Sequence, residues 1–264
     1  MDYKLKGKSV FISGSTSGIG LSTAELLVKE GANVLINGRS EISVSNTIDF
    51  IKTKYPASKV SGIATDFSKP LEIQELIKRL PDIDILINNV GIYESKTFFE
   101  IEDNEWYKQF EVNVMSGVRL SKYFLPQMLK KNWGRIIFIS SECASLVPND
   151  LIPYSMTKAS ILAVSRGLAQ LTKGTNVTVN AVLPGSTLTK GASSFLNQSA
   201  KKSNKSVKEI EDDFFLESRN SSLIQRFASS TEVANAIAYI SSPLSSATNG
   251  SVFKVDGGSV GGIS

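Results

Sequence analysis

Short apolar runs, each followed by an amphipathic stretch about twice as long, dominate the first half of this 264-residue chain. The runs at 9–13 (SVFIS), 33–37 (NVLIN), 60–65 and 83–88 (IDILIN) read as buried strands. The stretches at 19–29, 43–54 and 71–79 between them read as helices. This alternation leaves few architectures open. Strands apolar on both faces need cover on both, and parallel neighbours need a crossover helix, so the chain is expected to build βαβ units around a parallel sheet. Beyond this half, 106–130 reads as one long helix that Pro126 is expected to kink. Strands follow at 135–140 (RIIFIS), 177–182 (VTVNAV) and 251–255, and 159–171 lies in a further long helix. The expectation is a doubly wound α/β sheet of about seven parallel strands with helices on both faces.

The sequence has no internal repeat and no linker, so 1–264 reads as a single domain. Its one composition shift lies at 191–208, rich in Ser, Lys and Asn, and runs into the charged stretch 209–219. This is either a solvated insertion or a mobile lid spanning about 186–228.

Composition narrows the chemistry mainly through what is missing. Hydrophobic residues at 41% and charged residues at 20% are ordinary for a globular protein. The net charge of +4 comes from scattered lysines rather than a basic stripe, so no nucleic-acid partner is expected. There is no histidine, which excludes Ser-His-Asp and Cys-His catalysis and histidine-ligated zinc. The single cysteine, Cys143, excludes an intramolecular disulfide and a CxxC metal site, and it reads as a small buried hydrophobe. No metal is expected. Proton transfer therefore falls to Tyr, Lys, Asp, Glu, Ser or water. The opening residues do not read as a signal peptide, and no apolar run approaches the ~18–20 residues of a membrane span. A soluble cytoplasmic protein without a membrane partner is expected.

After the first strand comes Ser13-Gly14-Ser15-Thr16-Ser17-Gly18-Ile19-Gly20. Glycines spaced G-x-x-x-G-x-G between strand and helix permit a tight turn, close approach of a pyrophosphate and close helix–sheet packing. The helix N-terminus then offers free N–H groups and a partial positive charge to phosphates, with Ser15, Thr16 and Ser17 adding donors. A plain strand–helix turn is the alternative. The second strand ends in Asn37-Gly38-Arg39-Ser40. A carboxylate here would favour NAD; instead Arg39, assisted by Ser40, has the planar fork suited to a 2′-phosphate. The preferred cofactor is therefore NADP(H), with NAD(H) possible.

Tyr154 and Lys158 form a YxxxK. At i and i+4 on a helix they share a face, with Cβ atoms roughly 5–6 Å apart. The ammonium is expected to draw the phenol pKa down from about 10. The pair is a proton donor and acceptor for a protein without histidine.

Taken with their neighbours, these residues resemble the short-chain dehydrogenase/reductase family over almost the whole length. The motifs in order are Gly14, Gly18 and Gly20; Asp66 after the third strand; Asn88-Asn89-Val90-Gly91; Asn113; Ser141; Tyr154 and Lys158; Pro184-Gly185 with Thr187 and Thr189; and Val255-Asp256-Gly257-Gly258. The resemblance implies a Rossmann-type fold and an NAD(P)-dependent oxidoreductase, closest in feel to 3-oxoacyl-thioester reductases. It implies that Tyr154 is the general acid/base, that Ser141 holds the substrate oxygen, and that Lys158 tunes Tyr154 and contacts the nicotinamide ribose. It also implies that Asn113 holds a water linking Lys158 to solvent, although a purely structural role for Asn113 stays open. Asp66 is expected at the adenine and Thr189 at the cofactor amide. With Ile19, Asn88, Asn89, Gly91, Pro184, Gly185 and Thr187, these complete the expected cofactor site. Ser13 stands where the family usually has threonine, and Val90 where it has alanine. Glu142 faces either the site or the surface.

The resulting expectation is an NADP(H)-dependent enzyme passing hydride between nicotinamide and a small carbonyl or alcohol substrate. A dinucleotide-binding sensor without turnover is the rival. Phe195, Leu196, Phe214, Phe215 and Leu216 suggest an apolar substrate end, lid packing or a subunit contact. The family resemblance implies a homotetramer or homodimer built through the long helices.

Overall fold

The computed structural model describes residues 2–262. Seven strands form one parallel sheet: β1 (Ser9–Ile12), β2 (Asn33–Gly38), β3 (Lys59–Ala64), β4 (Ile85–Asn88), β5 (Gly134–Ile139), β6 (Val177–Pro184) and, last in the chain, Val252–Val255. A separate two-stranded ribbon pairs β7 (Thr187–Leu188) with β8 (Ala228–Ser229), so the last sheet strand is β9. The sheet order is β3-β2-β1-β4-β5-β6-β9. The chain thus winds outward one way from β1, then crosses over and winds out the other way from β4. That reversal leaves a crevice beyond the carboxyl ends of β1 and β4, where ligands bind in such sheets.

Alternating residues of the inner strands feed two apolar layers. Val10 and Ile12 of β1 join one core with α1 (Gly18–Lys29), α2 (Glu41–Lys54) and α10 (Ser230–Ser241). Phe11 joins the other with α3 (Pro70–Arg79), α5 (Ser116–Lys131) and α7 (Ile152–Gln170). Burial on both faces explains why these strands read as near-continuous apolar runs rather than alternating ones. Arg135 is the exception within β5. It is buried without a carboxylate partner among the described residues and donates instead to the carbonyls of Gly134, Asn176 and Ser242. Its guanidinium stacks over Trp133, and burial pushes it down to about 10.

Two regions differ from the sequence expectation. The helix expected over 106–130 begins earlier, as α4 (Asp103–Phe110), and continues to Lys131. Its break from α geometry is a turn of π-helix at Glu111–Met115, while helix runs unbroken through Pro126. A π turn inserts a residue into the helical ladder, and such turns often occur at functional sites. The polar segment after β7 folds into α8 (Lys190–Ser203) and α9 (Val207–Asp213), followed by a further π turn at Phe214–Ser218. Ser206 and Glu209 form a capping box that starts α9. Phe214, Phe215 and Phe227 pack together under this segment, accounting for two of its aromatics by internal packing. Among the described residues no helix is long and apolar enough to cross a membrane.

Candidate active site

A cleft of about 1010 Å³ opens at the reversal of strand order. One end is the turn between β1 and α1. Gly14 and Gly18 have φ of +63° and +55°, where a side chain is strained. A Cβ on Gly14 would also meet the Val90 backbone at 3.0 Å. The loop is held from both sides. Gly14 N–H donates to Asn37 Oδ1 at 3.0 Å, and Asn89 Nδ2 donates to the carbonyls of Ser13 and Gly14. Ser13 Oγ accepts from the amides of Asn89 and Val90, so the hydroxyl at this position ties β1 to the end of β4. Ser17, which precedes α1, makes no side-chain capping bond. The first N–H groups of that helix therefore stay available to an anion in the cleft.

Arg39 and Asp66 line the same end. Arg39 is exposed and engaged in no hydrogen bond or salt bridge among the described residues. Asp66 accepts from the Ser68 amide and hydroxyl, and these, with Lys69 and Arg39 nearby, hold its carboxyl below the usual range. Thr189 lies across from the glycine loop, its Cγ2 at 3.3 Å from where a Gly18 Cβ would be, and its hydroxyl caps α8. Pro184, Gly185 and Thr187 reach the cleft from the end of β6.

Tyr154, Lys158 and Ser141 form the opposite wall. Lys158 is buried; its Nζ donates to the Ile139 carbonyl at 2.9 Å and lies 5.5 Å from the Tyr154 ring centroid. A Cβ on Gly91 would come within 3.2 Å of that Nζ, so the glycine gives the ammonium its space. Burial pushes Lys158 down to about 8. The Tyr154 phenol moves opposite to the sequence expectation. Burial raises it above its usual range, with Cys143 and Tyr93 acting the same way and the Ser141 hydroxyl pulling against them. In the bare site the desolvation of phenolate outweighs the help of an ammonium that is hydrogen-bonded elsewhere. The resting phenol is therefore neutral.

Four expected residues lie behind the wall rather than on it. Ser15 is buried, donating to the Ile12 carbonyl and accepting from the Asn37 amide. Ser40 is the N-cap of α2, its oxygen accepting from the Ser43 amide. Asn88 points away toward Ser121. Asn113, in the π turn, accepts from Ile92 N–H at 2.8 Å and donates to the Ile92 carbonyl and to Thr157 Oγ1, each at 2.9 Å. Both its donors are spent, and one acceptor lone pair remains. It ties the segment after Gly91 to the helix that carries Lys158.

Two cleft residues, Asn37 and Arg219, went unread in the sequence, and the orientation of Glu142 was left open. Asn37 was visible as a polar residue ending an apolar strand, but its grip on Gly14 was not. Glu142 faces the site: it is buried and joined to Arg219 at 2.8 Å. Arg219 was lost within a charged stretch that reads as solvated surface. Cys143 is buried in the cleft wall, and burial pushes its thiol up, in keeping with an inert small hydrophobe.

The model of the short chain dehydrogenase family matches residues 8–200. An uncharacterized oxidoreductase of Bacillus subtilis, YvaG, is 46% identical over 260 residues, spanning 98% of both chains. A 3-oxoacyl-[acyl-carrier-protein] reductase of Aquifex aeolicus is 31% identical, over 98% of this chain and 99% of its own. Among solved structures, L-sorbose reductase from Gluconobacter frateurii, complexed with NADPH and L-sorbose, superimposes with a TM-score of 0.93 at 30% identity, covering 100% of both chains. The fold, the match over most of the length and the kinship agree: this chain belongs to the short-chain dehydrogenase/reductase family and is an NAD(P)-dependent oxidoreductase.

Proposed function

We propose that the protein is an NADP(H)-dependent carbonyl reductase in which Tyr154 donates the proton. The observation that carries this is the division of one cleft. A glycine turn with a free helix N-terminus lies at one end, and a neutral, half-buried phenol beside a lysine and a serine hydroxyl lies at the other. The residues present fit a dinucleotide. A Cβ at Gly14 would encroach on Val90, the start of α1 lines the cleft without a side-chain cap, and Arg39 is unspent where a carboxylate would otherwise stand. The solved complexes of L-sorbose reductase with NADPH and of a putative gluconate 5-dehydrogenase with NADP, at 30% and 25% identity, support the phosphorylated cofactor.

A bound nicotinamide dinucleotide supplies the hydride. Arg39 would hold the 2′-phosphate, the Thr16–Gly20 turn would cradle the pyrophosphate and Asp66 would meet the adenine. Gly91, Pro184, Gly185, Thr187 and Thr189 would flank the nicotinamide end, and Lys158 would hold the ribose. Ser141 donates to the substrate oxygen, and the Tyr154 hydroxyl passes its proton to that oxygen as charge develops there. A neutral phenol carries the proton that carbonyl reduction requires. Asn113 supports the wall from behind and keeps one lone pair for a water. The enzyme works in the cytoplasm as a homo-oligomer. Exposed Phe99, Tyr107 and Tyr123, on or beside the helices expected to form the contact, support that assembly.

The test is NADPH oxidation against ketones, aldehydes and 3-oxoacyl thioesters, with Tyr154→Phe alongside. The variant is expected to lose about 10²–10⁴-fold in turnover while binding NADPH as before. Unchanged turnover overturns the mechanism. Silence across the panel with NADPH still bound favours a sensor.

A further inference from the structure

The charged pair in the substrate wall remains unexplained by hydride transfer. Glu142 follows Ser141 directly, and its Oε1 accepts from Arg219 Nε at 2.8 Å and from Ser186 Oγ at 3.0 Å. Its Oε2 has no partner among the described residues. The Arg219 side chain is 13% exposed and lines the cleft. Nε goes to Glu142 and Nη1 to the Ser218 carbonyl, while Nη2 has only the Cys143 sulfur, at 3.9 Å. Cys143 in turn donates its amide to Ser141 Oγ at 3.2 Å, so it lies between the serine and the arginine. Arg219 and Cys143 both line the cleft. Sulfur is a weak acceptor, so this Nη2 donor gains when a ligand in the cleft supplies an oxygen.

We propose that Arg219 is a specificity-determining residue that hydrogen-bonds a hydroxyl oxygen of the substrate, so that the enzyme selects neutral hydroxylated ketones over plain alkyl ones. This rests on the carbonyl reduction proposed above. A hydroxyl accepts from Nη2, while Glu142 stays engaged with Nε and with Ser186. A substrate carboxylate gains less, because Glu142 already balances the arginine and a second anion would lose its hydration to a neutral pair. A site with buried donors built for a hydroxyl rejects the analogue that lacks it, since those donors are then left unpaired. Glu142 is a positioning residue here: it fixes Arg219 beside Ser141.

The experiment compares kcat/KM, with saturating NADPH, for dihydroxyacetone, its near-isostere 3-pentanone, fructose and pyruvate. It uses the wild type, Arg219→Met, and Arg219→Lys, which keeps the charge beside Glu142 but lacks the fork. Dihydroxyacetone is expected to exceed 3-pentanone by about 10-fold or more. Both variants should collapse that ratio toward one, chiefly by losing the hydroxylated ketones. The proposal is overturned if the two ketones are equal in the wild type, if pyruvate is preferred, or if the variants lower both ketones alike. Ligand-observed NMR binding of the same two ketones to the NADPH complex reads the ratio without turnover. A protein that binds dihydroxyacetone selectively yet reduces no ketone fails the proposed reaction and keeps this inference; equal binding overturns the inference itself.

Discussion

Asn113→Ala is the substitution whose outcome the structure sets most tightly. The side chain makes three hydrogen bonds, two of them to the main chain of Ile92 and one to Thr157 Oγ1. Truncation removes all three at once. Thr157 keeps its own bond to the Tyr154 carbonyl at 2.7 Å, so its hydroxyl is not orphaned. Ile92 N–H and C=O are, and each such loss costs about 1–3 kcal/mol when the group is buried. Ile92 is only half-buried, and water repays part of this, so the net loss is about 3 kcal/mol. An unfolding entropy of about 2.1 cal/mol/K per residue gives roughly 0.55 kcal/mol/K for a chain of this length, so Tm should fall by about 5 °C. Thermal unfolding followed by circular dichroism in the absence of cofactor measures the fall. Activity should drop as well, because the released Gly91–Tyr93 segment flanks Lys158. A Tm within about 1 °C of wild type, with activity gone, refutes the pinning role and leaves only a solvent-relay role for Asn113.

Two further outcomes bear on the cofactor and the proton. Lys158, pushed down to about 8 by burial, is charged below that pH and loses its proton above it, so reductive kcat/KM should decline as pH rises past about 8. Tyr154, raised above its usual range, stays neutral throughout, and Lys158→Arg should move the decline beyond pH 10. A wild-type profile flat to pH 10 contradicts this assignment. Arg39→Ala should raise the KM for NADPH about 10–100-fold, the worth of a charge-assisted hydrogen bond, and leave that for NADH within about twofold. Equal weakening of both cofactors shows that Arg39 does not read the 2′-phosphate.

The strand plan was legible because the central strands are buried on both faces, which writes itself into the sequence as apolar runs bounded by turns. Helix ends were less legible. The Glu102–Glu105 capping box starts α4 ahead of the first apolar residue, so periodicity alone placed that start too late. The π turn was invisible for a different reason. It occurs where Asn113 is drawn to Ile92, a partner 21 positions away. In the segment after β7 the composition of a solvated loop concealed two helices, because their cover comes from a few aromatics that meet only in three dimensions.

The sequence by itself determined the sheet, the glycine turn at its centre and the Tyr154–Lys158 pair, since all three rest on residue type and short-range spacing. Only the tertiary structure decided which of these groups face one cleft. Ser15, Ser40, Asn88 and Asn113 turn to neighbours behind it, each spent on a bond that holds the wall. Glu142 and Arg219, 77 positions apart, come together inside it. The balance of burial against charge at Tyr154 was likewise out of reach of spacing. An ammonium four residues away lowers a phenol only where its attraction for the phenolate exceeds the cost of taking that phenolate out of water, and here the cost of burial is larger.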